Sequence, residues 1–460
     1  MPSPNRDARA FDLPTPPWPF PAAGIEMATR AMRRFSCTGA ECPDSCCRDF
    51  GIAFDPPSVE RMLVATAVDP VDHERIVRLR VLSAAPLDGS AVQASVSLDN
   101  DGACPLLESS GQCWMHRKYG ESALATTCSV FPRTSLAIEN RLEVTGTLAC
   151  PELARLTLLT EDGPAQEPSV GSLLHRDYVG KTVDAGDESR DAYAAPFVRV
   201  RETLLHLFGR NDYPLGTRLV VAARLAAQVD RFFRRGTDAF EGSRRGLAFQ
   251  LLHDELANAV NEAGLQAMHR DLQSFNGSSD AVVASAASLL IQRRRLRHPP
   301  RFAALLKAAF GSLQAEAGGG ADRPLTPGEL SVLVARRRER LEAKLPGLVD
   351  RILARYCRHY LLRYPYTDAP SLLNYLGRMA LSVASIRLLL LGAPAVLSVL
   401  DAAAGAQVDE ARLSAIAVDV IQIFTKAVSH QVDFLTAIQR VSEDSKGVTF
   451  GRLVLFAKFV

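Results

Sequence analysis

The spacing of apolar residues along the chain changes character near residue 150. Beyond that point apolar side chains recur every three or four positions, which is the period of an amphipathic helix. Only the segment 162–192 is polar there and is expected to be irregular. The predicted helices are 151–160, 195–209, 217–234, 246–264, 281–296, 328–343, 346–364, 370–391, 409–428 and 430–441.

Residues before 150 contain many glycines, prolines and aspartates, which break the chain into short pieces. Weak alternation predicts a strand over 91–99, and short helices are predicted near 57–67 and 119–127. We therefore predict a mainly α fold, in which an irregular N-terminal module with few short strands precedes an all-helical body. The predicted parts are an N-terminal extension over 1–30, the irregular module over 31–158 and the helical domain over 159–460.

Composition limits the possible functions. The 460 residues are 47% apolar and 23% charged, as in ordinary globular proteins, and the length suggests two or three domains. The net charge of +2 lacks the basic excess of a nucleic-acid-binding chain, and the arginine runs 293–297 and 336–340 are interpreted as solvated faces. No G-x-G-x-x-G loop follows a predicted strand, so the predicted fold is not of the Rossmann type.

The most apolar stretch, 379–400, is interrupted by Arg387 and Pro394. This pattern favours a buried helix followed by a turn over a membrane span, so no membrane association is expected. Residues 1–23 are rich in proline and charged residues and lack the apolar centre of a secretory signal. We therefore expect a cytoplasmic location.

The cysteines are the strongest chemical signal in the sequence. Eight of the nine lie between Cys37 and Cys150, and Cys357 stands alone as a small buried side chain. Clustered cysteines in a reducing compartment are typical of metal ligands, and soft thiolates select zinc or iron–sulfur clusters. The pattern is Cys37-x4-Cys42-x3-Cys46-Cys47, then Cys104-x8-Cys113-x14-Cys128, then Cys150. Disulfides in an exported protein are the alternative.

Spacing alone does not separate zinc from an iron–sulfur cluster. The C-x2-C knuckles of common zinc sites are absent, and so are the ferredoxin spacings. Adjacent side chains in an extended segment point apart, so Cys46 and Cys47 are not expected to bind the same ion. His116, three residues after Cys113, is either a further ligand or a surface or packing residue.

Blocks around the cysteines resemble the CxxCxxCC-type iron- or zinc-chelating proteins. These blocks are Phe35-Ser-Cys37, Cys42-Pro-Asp-Ser-Cys46-Cys47, Cys104-Pro-Leu-Leu, Cys113 with His116, and Thr127-Cys128-Ser-Val-Phe-Pro-Arg133. Cys150-Pro-Glu-Leu-Ala-Arg155 narrows the resemblance to the flagellin lysine-N-methylase (FliB) family. Later blocks are also similar to that family: Arg355-Tyr-Cys-Arg-His-Tyr360, Tyr364-Pro-Tyr366, Ser385-Ile-Arg387-Leu and Phe424-Thr-Lys-Ala-Val-Ser-His430.

The resemblance implies methyl transfer from S-adenosylmethionine to lysine ε-amines of flagellin, the protein of the bacterial flagellum, with a [4Fe–4S] cluster involved. Zinc is the alternative metal. The positions that match the family's cysteines are Cys37, Cys42, Cys46, Cys47, Cys104, Cys113, Cys128 and Cys150. The resemblance does not say which four hold the cluster. Ser129 replaces an arginine that is frequent in the family, whereas Arg133 is retained and is a candidate cofactor-binding residue.

Methyl transfer requires a neutral lysine, whose ordinary pKa is about 10.4, so the site must desolvate the amine or supply a base. Tyr360, Tyr366 and His430 are the candidate catalytic residues. Arg387 lies in an apolar helix, where its charge requires a partner or an anionic ligand such as a cofactor carboxylate. The structural alternatives are an ion pair for Arg387, a helix-end position for His430 and core packing for the tyrosines.

A second functional hypothesis stays open. The chain would then be a non-catalytic iron–sulfur or zinc protein whose helical body docks a protein partner. The length beyond residue 155 favours the enzyme, because a chelating module alone does not need 300 further residues. The sequence leaves open the catalytic base, the target lysines and the oligomeric state.

Overall fold

The computed structural model describes residues 25–50, 52–82, 94–96, 98–174, 179–185, 193–232, 243–292, 299–318, 324–401, 409–428 and 449–460. They form two compact units. The first comprises the described residues of Met1–Leu156 and Ala165–Thr182, and the second those of Thr157–Pro164 and Val183–Val460. The predicted helix 430–441, with His430, and the arginine run 293–297 lie outside the described residues.

The strands lie before residue 184. They are β1 (Ile25–Thr29), β2 (Ala53–Phe54), β3 (Ala94–Ser95), β4 (Arg133–Ile138), β5 (Arg141–Gly146), β6 (Gln166–Pro168) and β7 (Lys181–Val183). Five of them form a mixed sheet of order β6-β1-β5-β4-β7, and β2 pairs with β3. β1 runs parallel to β5 and antiparallel to β6. The sequence predicted only the strand over 91–99, of which the structure describes the two residues of β3, and it missed the five-stranded sheet.

β4 and β5 form an antiparallel hairpin at the centre of this sheet. The register pairs Arg133 with Gly146 and Ile138 with Arg141, which leaves two connecting residues. The first of these, Glu139, has a positive φ of 53°, as two-residue hairpin turns require. Val144 in β5 is fully buried, so the hairpin anchors one apolar core of the first unit.

The helices up to residue 160 are short. They are α1 (Arg30–Arg34), α2 (Pro56–Thr66), α3 (Pro70–Leu82), α4 (Trp114–Tyr119), α5 (Thr126–Val130) and α6 (Pro151–Leu159). The predicted helix near 57–67 is confirmed by α2, which begins where Asp55 accepts a hydrogen bond from the N–H of Ser58 at 3.1 Å. The single helix predicted over 119–127 is wrong. Gly120, with φ of 80°, ends α4, and a 3-10 turn over Glu121–Ala123 separates it from α5.

The second unit is helical throughout its described residues. Its helices are α7 (Phe197–Gly209), α8 (Leu215–Phe232), α9 (Ser243–Ala259), α10 (Glu262–Ser274), α11 (Asp280–Gln292), α12 (Pro300–Glu316), α13 (Pro327–Lys344), α14 (Leu348–Arg363), α15 (Leu372–Gly392), α16 (Pro394–Leu400), α17 (Glu410–Val428) and α18 (Phe450–Phe459). One helix predicted over 246–264 is wrong, because Asn261 caps α10 and accepts from the N–H of Ala263.

α15 is the central helix of the second unit. It is long and apolar enough to span a membrane by composition, but 94% of its most apolar window is buried inside the unit. Its first turn is held by Asp230, whose carboxylate accepts from the N–H groups of Leu372 and Leu373 at 2.8 and 2.9 Å. At its end, a Cβ on Gly392 would lie 2.9 Å from the Cβ of Ala309 in α12. Glycine thus lets these two helices pack closely.

The predicted fold class is confirmed. The described residues are mainly helical, and their strands form a small mixed sheet near the N-terminus. They contain no doubly wound parallel sheet of the Rossmann type.

Candidate metal centre

All nine cysteines are free thiols, so the disulfide alternative receives no support. Cys104 and Cys150 are buried, whereas Cys37 and Cys46 are exposed. The lone Cys357 is buried in the helical unit, away in sequence from the others, as a small core side chain. The eight cysteines of the first unit are therefore not consumed in disulfides, and each can bind a metal once its thiol loses its proton.

Four of these eight thiols lie in one apolar core. We name them the core thiol group: Cys47, Cys104, Cys113 and Cys128. Their shared surroundings include Ile52, Trp114 and Met115. The group draws on three separate stretches of chain, so it forms only when the unit folds.

Local backbone pairing brings the core thiol group together. The N–H of Cys104 donates to the carbonyl of Cys47 at 2.8 Å, which joins the first cysteine block to the second. Cys113 pairs with Leu107 in an isolated bridge and occupies the position before α4. Cys128 is carried by α5. Irregular segments joined by a few backbone hydrogen bonds thus position these cysteines, a role that strands or helices have in many other sites.

Burial and mutual contact keep these thiols protonated. Cys113 donates to Cys47, and this bond, with burial, raises the pKa of Cys113 far above its ordinary value. The same bond lowers the pKa of Cys47, but its contact with Cys46 and burial raise that pKa to about 12. Burial also raises the pKa values of Cys104 and Cys128. A cation among these sulfurs would remove that penalty, because it neutralises the thiolates.

The donor set fits a soft metal, although the thiols do not surround a single point. Among the described residues, no three His, Cys, Asp or Glu side chains share a common centre as metal ligands do. Neutral thiols in contact have no reason to take tetrahedral positions until a cation binds them. Four clustered thiols in an apolar core match the ligands of a zinc ion or an iron–sulfur cluster.

Three further cysteines lie beside the five-stranded sheet. We name Cys37, Cys42 and Cys150 the sheet thiol group. Burial raises the pKa of Cys150 to about 11, and the nearby thiols of Cys42 and Cys37 contribute to that rise. Cys150 lies in a second apolar core with Met32 and Val144, against which Phe35 packs. Cys46 belongs to neither core. It is exposed, and its thiol contacts that of Cys47, so the two adjacent side chains do not point apart as expected for an extended segment. That the pair does not bind one ion stays a prediction.

Arg133, a candidate cofactor-binding residue, lies next to the sheet thiol group. Its guanidinium is over the ring of Phe35, 5.6 Å from the centroid. Burial lowers the pKa of Arg133, and the neighbouring Glu121 and Cys37 partly offset that effect. His116, by contrast, lies on the exposed face of α4.

The candidate tyrosines of the helical unit form one aromatic cluster. Tyr360 packs against Tyr364 and Tyr375, with ring centroids 4.8 and 5.4 Å apart. Tyr366 is 2% exposed and donates its hydroxyl to the carbonyl of Tyr193 at 3.1 Å. Burial raises the pKa of Tyr360 well above its ordinary value. The hydroxyl of Tyr360 therefore stays protonated at neutral pH. His430, the third catalytic candidate, lies outside the described residues.

Arg387, the other candidate cofactor-binding residue, is paired within the protein. Its guanidinium donates to the carboxylate of Asp350 in α14, and the side chain is 2% exposed. The sequence indicated that this charge needs a counter-charge, but it did not identify Asp350. Arg387 thus forms the structural ion pair that was the alternative to a cofactor-binding role.

The helical unit also contains an open cleft that sequence analysis missed. Its volume is about 490 Å³, which lies in the range of small-molecule sites. Arg351 and Arg355 line it one turn apart on α14. Arg351 lies 3.8 Å from Glu410 of α17, and Arg355 donates to the carbonyl of Leu158 at 2.8 Å. Leu159, Leu348, Ile352, Ala411 and Ser414 complete the lining. The i, i+4 spacing of two arginines beside apolar residues was the signal available in the sequence.

Comparison with known families gives a match over more than half of the chain. Residues 201–455 match the family described as the FliB lysine N-methylase C-terminal domain. The matched range lies within the helical unit. No solved structure matches the chain.

Three curated relatives from Salmonella are similar over part of their length. A lysine-N-methylase of Salmonella typhimurium is 27% identical over 178 residues, which is 38% of this chain and 39% of that protein. The lysine-N-methylase of Salmonella choleraesuis is 27% identical over 177 residues, or 38% of each chain. The flagellar biosynthetic protein FliU of Salmonella muenchen is 29% identical over 134 residues, covering 28% of this chain and 75% of FliU. The match thus spans about two fifths of the two methylases.

Proposed function

Because the chain belongs to the FliB lysine N-methylase family, we propose that it is an S-adenosylmethionine-dependent protein-lysine N-methyltransferase that acts on flagellin. The observation that carries this proposal is the family match over residues 201–455. The name of the FliU relative, a flagellar biosynthetic protein, supports flagellin as the substrate. The free state of the cysteines supports a reducing location such as the cytoplasm.

In this proposal the core thiol group holds the metal centre, a [4Fe–4S] cluster with zinc as the alternative. The support is its four thiols in one apolar core, where metal binding would offset the cost of their burial. Bound there, the cluster would supply iron chemistry or rigidity to the first unit. The protein's own contribution is the apolar core around Trp114 and Met115, against which the four cysteines pack.

We place the methyl donor in the cleft of the helical unit. Arg355 has no carboxylate partner within ion-pair distance among the described residues and uses one N–H on the carbonyl of Leu158, so its other N–H groups can bind the carboxylate of S-adenosylmethionine. Arg351 is 3.8 Å from Glu410 and adds positive charge, and the apolar lining offers a surface to the adenosine. Arg355 is half-buried, and burial lowers its pKa, so an anion would relieve part of its desolvation. Arg387 is a weaker candidate for this role, because Asp350 already neutralises it.

The substrate lysine must lose its proton before it accepts the methyl group. Tyr360 is a poor base at neutral pH, since burial raises its pKa. The hydroxyl of Tyr366 is already engaged as a donor to the carbonyl of Tyr193. Desolvation of the lysine at the cleft would favour its neutral form without a dedicated base. The remaining candidate, His430, stays a prediction.

The experiment is expression of flagellin in a host without lysine methylases, with and without this protein, followed by mass spectrometry of the flagellin lysines. We expect methylated lysines only with the protein. The matched variants are Arg355→Ala in the cleft and Arg412→Ala, which lies on the adjacent α17 outside the cleft lining. Arg355→Ala should weaken S-adenosylmethionine binding and methylation, whereas Arg412→Ala should leave both unchanged.

Flagellin that stays unmethylated with wild-type protein, under conditions where metal is bound, would contradict the enzymatic proposal. It would favour the non-catalytic metal-binding alternative, for which the core thiol group is equally suited. Methylation that survives Arg355→Ala with unchanged cofactor binding would move the methyl donor out of the cleft. The two results are distinct, because the first concerns the activity and the second only its location.

A further inference from the structure

Three arginines lie along one face of α14, and two of them line the cleft of the helical unit. We name Arg351, Arg355 and Arg358 the α14 arginine row. Their spacings of four and three residues place them on the same side of the helix, over about 10 Å of its length. Arg358 lies one turn beyond Arg355, close enough for the two charges to interact. Like charges at this spacing repel, so the row favours an acidic ligand.

The first two arginines of the row have acidic groups in their surroundings. Arg351 lies 3.8 Å from Glu410 of α17. Arg355 donates to the carbonyl of Leu158 at 2.8 Å, and the negative charge of Glu161 acts on it from further away. The cleft end of the row is thus partly neutralised by the fold itself.

Arg358 differs from both. Its side chain forms no ion pair or hydrogen bond with the described residues, and its Nε is buried without an acceptor. Burial lowers the pKa of Arg358, and no acidic side chain opposes that effect. The residue is still partly exposed, so a ligand from solvent can reach it. Part of the desolvation cost of an ion pair is therefore already present in the fold, and a carboxylate would offset it.

We propose that Arg358 binds an acidic side chain of the protein substrate, close in sequence to the target lysine. This inference rests on the proposed function, in which the methyl donor occupies the cleft lined by Arg351 and Arg355. An extended peptide advances about 3.3 Å per residue, so three or four of its residues span the row. A carboxylate held at Arg358 would therefore place a lysine a few residues away beside the cleft.

Charge complementarity identifies the chemistry of the partner. Three arginines in a chain of net charge +2 are too few for a nucleic acid, which needs an extended basic surface. The apolar side chains of Leu348 and Ile352 beside the row suit a peptide better than a free phosphate. The same positive charges disfavour a protonated lysine nearby and so favour its neutral, reactive form. An acidic anchor at Arg358 compensates for the repulsion that the lysine meets on approach.

The test compares full-length wild type with Arg358→Gln, which keeps most of the side-chain length and removes the charge. The matched control is Arg270→Gln, at an exposed arginine of α10 outside the row. Fluorescence anisotropy measures binding of a labelled peptide with one lysine between two glutamates, and of the same peptide with two glutamines. We expect wild type to prefer the glutamate peptide about tenfold, and Arg358→Gln to lose that preference. Arg358→Lys should retain part of it, and Arg270→Gln all of it.

The kinetics of flagellin methylation give a second readout. Arg358→Gln should raise the KM for flagellin and leave kcat unchanged. Calorimetry should show unchanged binding of S-adenosylmethionine, because the cofactor carboxylate is assigned to Arg355 in the cleft. Circular dichroism checks that the variants are folded.

Equal affinity of wild type for the two peptides would overturn the proposal. Tighter binding of inorganic phosphate than of the glutamate peptide would also overturn it, because the row would then be a phosphate site. Weakened S-adenosylmethionine binding in Arg358→Gln would make Arg358 a cofactor residue instead. If wild type leaves flagellin unmethylated but keeps a glutamate preference that depends on Arg358, the proposed function fails and the docking site stands. If flagellin is methylated with the same KM by wild type and Arg358→Gln, the docking site fails and the function stands.

Discussion

Replacing Asp350 with asparagine would remove a buried carboxylate that serves more than one guanidinium. Asp350 accepts from Arg387, whose side chain is 2% exposed, and from the N–H of Leu215 at 3.0 Å. Burial lowers the pKa values of Arg218 and Arg338, and the negative charge of Asp350 partly offsets that effect. Asparagine keeps the shape of the side chain and an acceptor for Leu215. The substitution therefore tests the charge itself.

The expected loss is large because Arg387 would stay buried without a counter-charge. Removal of one partner from a buried ion pair costs about 3–5 kcal/mol. At about 2–4 °C per kcal/mol, the melting temperature should fall by about 6–20 °C. The matched control is Asp419→Asn, since the pair of Asp419 with Arg301 is 55% and 37% exposed. Its expected cost is below about 1 kcal/mol.

The pH dependence of the stability gives a second measure of the contribution of the Asp350 charge. Burial alone would raise the pKa of Asp350, but the charge of Arg387 and the hydrogen bonds hold it below its ordinary value. Such a carboxyl stabilises the fold above the unfolded pKa of about 3.9, and this stabilisation is lost as the pH falls through the folded pKa. The difference between wild type and Asp350→Asn should be constant near neutral pH and shrink below about pH 4.

The assay is thermal unfolding followed by far-ultraviolet circular dichroism between neutral and acidic pH. A melting temperature for Asp350→Asn equal to that of Asp419→Asn would refute the reasoning. A difference from wild type that grows in acid would refute it as well, because the sign of the pKa shift would then be wrong.

Three smaller perturbations test other contacts. Tyr366→Phe leaves the carbonyl of Tyr193 without its donor and should cost about 1–3 kcal/mol in urea unfolding, without loss of flagellin methylation. Gly392→Ala forces a Cβ against Ala309 and should destabilise by about 1–3 kcal/mol, whereas a stabilised variant would contradict the close packing. Thr326→Ala removes the cap of α13 and should cost about 1 kcal/mol, and an unchanged urea midpoint would contradict that role.

Local signals in the sequence were sufficient for most of the helical unit. Thr326-Pro-Gly-Glu329, just before the predicted helix 328–343, has the residue types of a helix start, and the structure has the reciprocal hydrogen bonds of a capping box there. The helix predicted over 370–391 agrees with α15 within two residues at each end. These features depend on neighbours within one turn, so a short stretch of sequence is enough to predict them.

The five-stranded sheet was not predictable from local signals of this kind. β1 pairs with β5 across more than 100 residues, and β6 is the polar segment Gln166–Pro168. Neither strand has the alternation of a half-buried strand. Their pairing is decided by partners distant in sequence, and no pattern within the strand itself indicates it.

The cysteines of the first unit show a further limit, in their arrangement. Their number and density predict a thiolate metal site, which stays a prediction. Their assignment to two cores depends on how β5 leads to Cys150 and on the hydrogen bond between Cys47 and Cys104. Sequence spacing contains neither of these long-range facts, so it treated the eight residues as one set.

The partners of the arginines are also not predictable from the sequence, and they bear on which arginines could bind a ligand. Arg337 in the arginine run 336–340 is fully buried against Glu316, and Arg338 donates to the carbonyls of Lys458 and Phe459, so much of the supposed solvated face is internal. Arg387 is likewise neutralised within the fold. A guanidinium engaged in this way contributes to packing and has little left to offer a ligand. The arginines of the cleft on α14 are also engaged: Arg355 donates to the carbonyl of Leu158 at 2.8 Å, and Arg351 lies 3.8 Å from Glu410. They differ in their position, because both line an opening of about 490 Å³ that a small molecule can enter. The case for the cleft therefore rests on the opening that these two arginines line, and which of their donors remain for a ligand is visible only once their partners are known.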